Sequence, residues 1–86
     1  MILNIVCVYD KISEAYGVPS FVASVNSAIR GFGDEVNRPD PDNMFNRHPD
    51  DFELYHLGTY DDSIGELQPD RPRLLARGNE VKKSLG

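Results

Sequence analysis

The sequence predicts an α+β fold: a small, mostly antiparallel sheet of three or four strands, one main helix packed on one face, and a weak C-terminal helix. Three observations carry this. The runs Ile2–Tyr9 and Phe52–Tyr60 are rich in β-branched and aromatic residues, the composition that fits a pleated, half-buried surface. Between them, Val25, Ala28, Ile29, Phe32 and Val36 recur at the helical period, forming the apolar stripe of an amphipathic helix. With 86 residues, 40% of them hydrophobic and 27% charged, the chain is globular in composition yet has room for a single modest core.

In the first strand, Leu3, Ile5, Cys7 and Tyr9 fall on one face and Ile2, Asn4, Val6 and Val8 on the other. Both rows are largely apolar, so this strand belongs inside the sheet, covered at least partly on both sides. Asp10 and Lys11 end it. The stretch to Pro19 reads as a loop punctuated by Gly17 and Pro19, and Phe21–Ala23 as a short strand. Ser24 is placed to cap the helix that follows. Gly31 and Gly33 each cost that helix about 1 kcal/mol relative to Ala, so it is expected to fray before Val36. Asn37–Asp51 contains Pro39, Pro41 and Pro49 and no regular period, which predicts a long surface connection pinned by Met44 and Phe45. In Phe52–Tyr60, strict alternation puts Leu54 and Tyr60 on the Phe52 face and Tyr55 and Leu57 on the other. Asp61, Asp62 and Ser63 suit a turn, Gly65 a positive φ, and Glu66–Gln68 a short returning strand. Pro69 and Pro72 are expected to end the sheet, and Leu74 and Leu75 to begin a terminal helix interrupted at Gly78. The domain is expected to span residues 1–77, with 78–86 a weakly ordered basic tail.

The formal charge of −5 conceals a split. Residues 30–62 carry Arg30, Arg38 and Arg47 against nine acids, a net −6, whereas residues 63–86 carry Arg71, Arg73, Arg77, Lys82 and Lys83 against Glu66, Asp70 and Glu80, a net +2. A general nucleic-acid coat is excluded, because backbone binding depends on neutralised phosphates, but the terminal segment can present a local basic face. No run approaches the roughly 18 apolar residues of a membrane span. The start lacks the basic region and cleavage site of a signal peptide, so no membrane contact and a cytoplasmic setting are expected. One cysteine rules out an intrachain disulfide framework.

Residues able to carry chemistry read more simply as structure. His48 and His56 match no standard ligand spacing, and a catalytic zinc site needs about three converging protein ligands. Asp40 and Asp42 lack the glycine and distal glutamate of a calcium loop, and Asp61 and Asp62 precede a turn that aspartate favours. Cys7 lies between Val6 and Val8, and the first third of the chain offers neither a histidine nor a basic cluster, so it reads as a buried thiol rather than a nucleophile. Gly31 and Gly33 fall late in a helix and form no phosphate loop. No catalytic site, metal or cofactor is expected, and the chain reads as no enzyme. Binding is the remaining class. Tyr9, Tyr16, Tyr55 and Tyr60 can supply stacking surfaces and Arg71, Arg73, Arg77, Lys82 and Lys83 contacts to DNA phosphates, although the acidic middle opposes a strand laid across it. Pro49, Tyr55 and Tyr60 are the candidate protein-interaction residues.

The start M-I-L-N-I-V-C-V-Y-D-K, the stretch from Phe21 to Val36 with A-I-R-G-F, and above all H-P-D-D-F-E-L-Y-H-L-G-T-Y-D-D from His48 to Asp62 resemble the small nonstructural protein of the gokushovirus-type microviruses, which are tiny single-stranded DNA phages. Pro49, Asp50, Asp51 and Phe52, then Leu54, Tyr55, Leu57, Gly58, Tyr60 and Asp61, are the matching positions. The likeness covers most of residues 1–76 and is weakest after Gly78. That family is similar in role to the C protein of phiX-type phages. The resemblance therefore implies a nonstructural accessory in the host cytoplasm that favours single-stranded DNA synthesis and genome packaging, without assigned catalytic residues. Expected partners are replication or packaging proteins, single-stranded DNA, and further copies of the chain in a homo-oligomer, expected to be a dimer. The alternative is a homo-oligomeric adaptor that does not touch DNA.

Overall fold

The computed structural model describes residues 1–83. The elements in order are β1 (Ile2–Asp10), β2 (Ala15–Tyr16), β3 (Ser20–Val22), α1 (Val25–Asn37), α2 (Met44–Arg47), a 3₁₀ turn at Pro49–Asp51, β4 (Phe52–Asp61), β5 (Glu66–Arg77) and α3 (Gly78–Val81). All strand pairings are antiparallel. The sheet order is β2-β1-β4-β5, with β3 also paired to β1. β1 is therefore an interior strand, with β2 and β3 along one edge and β4 along the other.

Register assigns the faces. Val8 lies opposite Leu54 and Leu54 opposite Ala76, and this side meets Phe32 and Val36 of α1 to make the core, with Phe45 of α2 and Val81 of α3 packed against it. All three helices therefore cover one side of the sheet. Ser24 caps α1 as expected, its Oγ accepting from the Ser27 backbone N–H at 3.2 Å. The helix runs through both glycines to Asn37, and Val36 is wholly buried. Burial of that stripe outweighs the local propensity cost, because tertiary packing supplies most of a helix's stability.

The connection from Asn37 to Asp51 has more regular structure than its prolines suggest. Asparagines tie it down. Buried Asn43 donates from Nδ2 to the carbonyls of Glu35 (2.8 Å) and Arg38 (2.9 Å), and its Oδ1 accepts from the Phe45 N–H at 3.1 Å. One side chain thereby satisfies the open carbonyls at the end of α1 and caps the start of α2. Asn46 Nδ2 donates to the Val36 carbonyl (3.0 Å), and Asn37 Nδ2 to those of Gly33 (2.7 Å) and Val81 (2.9 Å). Phe45 anchors the segment as read from the sequence, its ring 6.0 Å from Phe32 and 4.5 Å from Phe52. Met44 stays exposed.

The sheet departs from expectation in β4 and β5. The turn after Asp61 forms as anticipated, with Asp61 Oδ1 accepting from the Ser63 N–H at 3.0 Å and Gly65 at φ +67°. The returning strand, however, does not stop at Pro69, and residues 74–77 are strand rather than helix. The prolines are tolerated because β5 is an edge strand, and residues 70–72 bulge out opposite the single residue Leu57, so neither proline must donate inside a ladder. Ala15–Tyr16, read as loop, forms a short strand paired to Tyr9 and Asp10. Residues 78–81 of the terminal segment form α3, whose Gly78 is buried against the Pro49 carbonyl.

Gly58 has φ +147°, and a Cβ there would strike the Gln68 carbonyl oxygen and come within 2.9 Å of the Pro69 Cα. Gly31 has φ in the helical range and open space around it. Gly58→Ala is expected to cost more than about 2 kcal/mol, whereas Gly31→Ala should gain about 0.5–1 kcal/mol. Urea denaturation midpoints of the two variants check both signs.

Candidate functional site

The side of the sheet away from the helices is where the functional candidates gather, and a bulge in β4 puts them there. Ile5 pairs with Gly58 but Val6 with His56, so Leu57 is an extra residue in β4. One inserted residue inverts the alternation beyond it. Tyr55 pairs with Cys7 and Tyr60 with Leu3, and Cys7 and Leu3 share a face of the regular strand β1. Tyr55 and Tyr60 therefore share the helix-free face, correcting the opposite-face assignment made from strict alternation.

Register adds Tyr9 and Tyr16, which pair with each other, and Phe21, which pairs with Ile5. All four tyrosines of the chain thus lie on this face. With Phe21 they form two groups, one toward each end of β1. Tyr9, Tyr16 and Tyr55 meet at centroid distances of 4.6, 6.0 and 5.5 Å, and Phe21 meets Tyr60 edge to face at 5.6 Å. Such tilted and T-shaped contacts are the favoured aromatic geometries. Between the groups, Ile5 and Cys7 are buried although no helix covers them. Leu67, opposite Tyr60, and Leu74, opposite Tyr55, extend the apolar surface onto β5.

At one end of this face, nearly buried Glu53 pairs with Arg77, Oε2 to Nε at 3.3 Å, and its Oε1 accepts a longer contact from the Tyr55 hydroxyl at 3.4 Å. Arg77 also meets Glu80 at 2.9 Å. The Glu80 hydrogen bond is the main influence raising the Arg77 pKa, with Glu53 adding to it. Burial, then the Glu53 charge, raises that of the Tyr55 phenol. Arg77 is thus committed to two carboxylates and is a poor phosphate contact.

The other basic candidates do not form one stripe. Arg71, in the bulge of β5, and Arg73, just after it opposite His56, are exposed, and no ion pair engages them among the described residues. Lys82 and Lys83 instead line a cleft with Asn37, Pro39 and Asn46 at the far end of α1. There the Lys82 ammonium donates to the Asn46 carbonyl at 3.4 Å, and the Lys83 backbone N–H to Asn37 Oδ1 at 2.6 Å. Pro49 is half-buried, its carbonyl against Gly78, so it seats α3 more than it offers a surface.

His56 lies on the helix side, its Nε2 sharing a 3.0 Å hydrogen bond with Asn4 Oδ1, while exposed His48 follows α2. Among the described residues no group of three or more His, Cys, Asp or Glu side chains is placed to hold a metal ion, and no helix is long and apolar enough to cross a membrane. Sequence reasoning grouped the four tyrosines as stacking residues but missed Phe21 and Leu67 beside them and the common face. The Leu57-Gly58 step inside a strand was the available signal, since glycine in a strand often marks a bulge.

The fold and site define a small α+β protein whose aromatic side chains are spread over an open sheet face. The chain belongs to the phage ORF5 protein family, whose model matches residues 3–81. Protein ORF5 of Chlamydia phage 1 is 34% identical over 64 residues, which cover 72% of this chain and 67% of that protein. No solved structure matches.

Cys7 is 3% exposed, and burial raises its thiol pKa. It is expected to react with iodoacetamide at neutral pH far more slowly in the native protein than in urea. Mass spectrometry of timed alkylation checks this, and equal rates would contradict the placement of Cys7.

Proposed function

We propose that this chain is a nonstructural phage accessory protein of the host cytoplasm that promotes the switch to single-stranded DNA synthesis and genome packaging, acting as a homodimer that binds replication proteins and DNA. Family membership and the gokushovirus-type motif from His48 to Asp62 support this reading. The observation that carries the DNA contact is the state of Arg71 and Arg73. Both are exposed on edge strand β5, Arg71 within the bulge and Arg73 just after it opposite His56, without an ion-pair partner among the described residues, whereas Arg38 and Arg77 are each held by two carboxylates. Asp70 lies beside them, leaving a local excess of one positive charge over residues 70–73. DNA contact is therefore confined and salt-sensitive. Lys82 and Lys83 make a second, separate basic spot.

A second reading, a protein-interaction adaptor without DNA contact, is favoured by the convergence of Tyr55 and Tyr60 on one aromatic surface whose charged residues, Glu53 and Arg77, pair with each other. Titrating the protein into fluorescent single-stranded and duplex oligonucleotides at two salt concentrations separates the two. The accessory reading expects single-strand binding that weakens with salt. A double Arg71→Ala, Arg73→Ala variant should weaken it further and flatten the logarithmic salt slope by about 1.4, at about 0.7 per phosphate contact. Binding absent at low salt, or unchanged in the double variant, leaves the adaptor reading standing.

A further inference from the structure

In the half of the sheet beyond the β4 bulge, the two sides differ in chemistry. Residues facing the helix side there are Ile2, Asn4, Thr59, Asp61, Glu66 and Gln68, while those on the other side are Leu3, Ile5, Tyr60, Leu67 and Phe21. A half-buried antiparallel sheet places its apolar row inward. Here that row lies on the side opposite every helix, and it continues through Cys7 to Tyr9, Tyr16, Tyr55 and Leu74 at the other end. Tyr16 is 47%, Phe21 51% and Leu67 57% exposed. Three of the four phenylalanines, Phe32, Phe45 and Phe52, serve the core under α1. The fourth joins all four tyrosines on the open side.

We infer that this helix-free face is the interface of a homodimer, two copies packing it against each other sheet on sheet. The inference rests on the homodimer of the proposed function and names its contact surface. Size argues for a second sheet as the occupant. The molecule measures 47 × 24 × 20 Å, so a face along its long axis is of the order of the about 800 Å² that each partner contributes to a stable interface. A helix about 10 Å across would cover only a stripe of it. Charge argues for a second copy. The face's charged residues Glu53 and Arg77 pair with each other, so a chain of net charge −5 can meet its own image here without like-charge repulsion, as a two-fold interface requires. Nucleic acid, which needs a positive groove beside its stacking rings, finds no such excess on this surface. Half-exposed tyrosines are also the side chains enriched where interfaces bury. Edge-to-edge pairing is opposed, because Pro69 and Pro72 and the 70–72 bulge blunt β5.

Size-exclusion chromatography with light scattering on the full chain tests this, alongside a dilution series followed by tyrosine fluorescence. The wild type is expected at about twice 9.7 kDa. Phe21→Glu and Leu67→Glu, each at a site already half-exposed in the single chain, should return it to monomer mass. Ile64→Glu, an exposed apolar site lining the helix-side cleft with Ile2, should remain dimeric. Circular dichroism selects variants with the wild-type fold, and if Phe21→Glu fails to fold, Leu67→Glu carries the comparison. A monomeric wild type overturns the inference. So does a dimer that survives both face substitutions or dissociates with Ile64→Glu. Loss of DNA binding in the arginine variant at unchanged dimer mass keeps the two readings distinct, since either can fail alone.

Discussion

A single extra residue in β4 organises the molecule. On the near side of Leu57, alternation aims Leu54 and His56 at the helix layer, and the strand contributes to the core with Val6, Val8 and Ala76. Beyond it, the same strand in the same sheet aims Tyr60 the other way. Gly58 makes the step feasible: its φ of +147° is costly for a side-chain-bearing residue, and β5 passes so close that a Cβ would meet the Gln68 carbonyl. The distal hairpin consequently keeps its polar row on the helix side and its apolar row on the open side. Were β4 regular, Tyr60 would face the helix layer and the aromatic surface would be broken in two.

The second requirement is holding three helices on a small sheet. A chain of this size buries only about 60–65% of its unfolded surface, so unmet polar groups at helix ends weigh heavily. Here α2 and α3 have four residues each and no independent stability. Asn37, Asn43 and Asn46 connect them to the end of α1 through hydrogen bonds to backbone carbonyls and an N–H group. No buried side-chain polar atom is left without a hydrogen bond among the described residues. Surface ion pairs such as Arg38 with Glu35 and Asp40 add little beside this, because exposed pairs are individually weak.

Where pattern and burial agree, the fold was legible in the sequence. The stripe from Val25 to Val36, the Ser24 cap, the buried first strand and the Asp61–Gly65 turn all follow from period, capping and turn chemistry. What was not legible involves partners distant in sequence. Pro69 and Pro72 read as terminators because a proline's cost depends on whether its strand has a neighbour, and only the assembled order reveals β5 as an edge. Residues 74–77 read as helix from two adjacent leucines, but Leu74 pairs with Tyr55 and Leu75 reaches the core, a long-range choice that overrides weak local propensity. The aromatic surface was only partly legible for the same reason: the four tyrosines stand out as stacking residues, but five of its side chains come from four segments, and strict alternation separates Tyr55 from Tyr60. The basic candidates were legible by charge alone. Their dispersal, with Arg77 spent on Glu53 and Glu80, depends on contacts that charge counting does not register.

Arg73, opposite helix-side His56, and the Lys82–Lys83 cleft lie off the helix-free face, and this matters for a chain whose cationic contribution is small. Residues 70–73 offer one net positive charge, too little for a phosphate backbone to hold a single copy firmly, since affinity grows with the number of phosphates neutralised. Packing two copies through the helix-free face would leave uncovered both Arg73, which lies opposite helix-side His56, and the Lys82–Lys83 cleft. Both would appear twice on one particle. Linking two weak contacts converts the second into an intramolecular event, raising overall affinity without any new contact. An acidic body with sparse, duplicated basic spots would then hold a polymeric ligand only where both spots can engage it at once, and release it as salt or a competing partner removes either one.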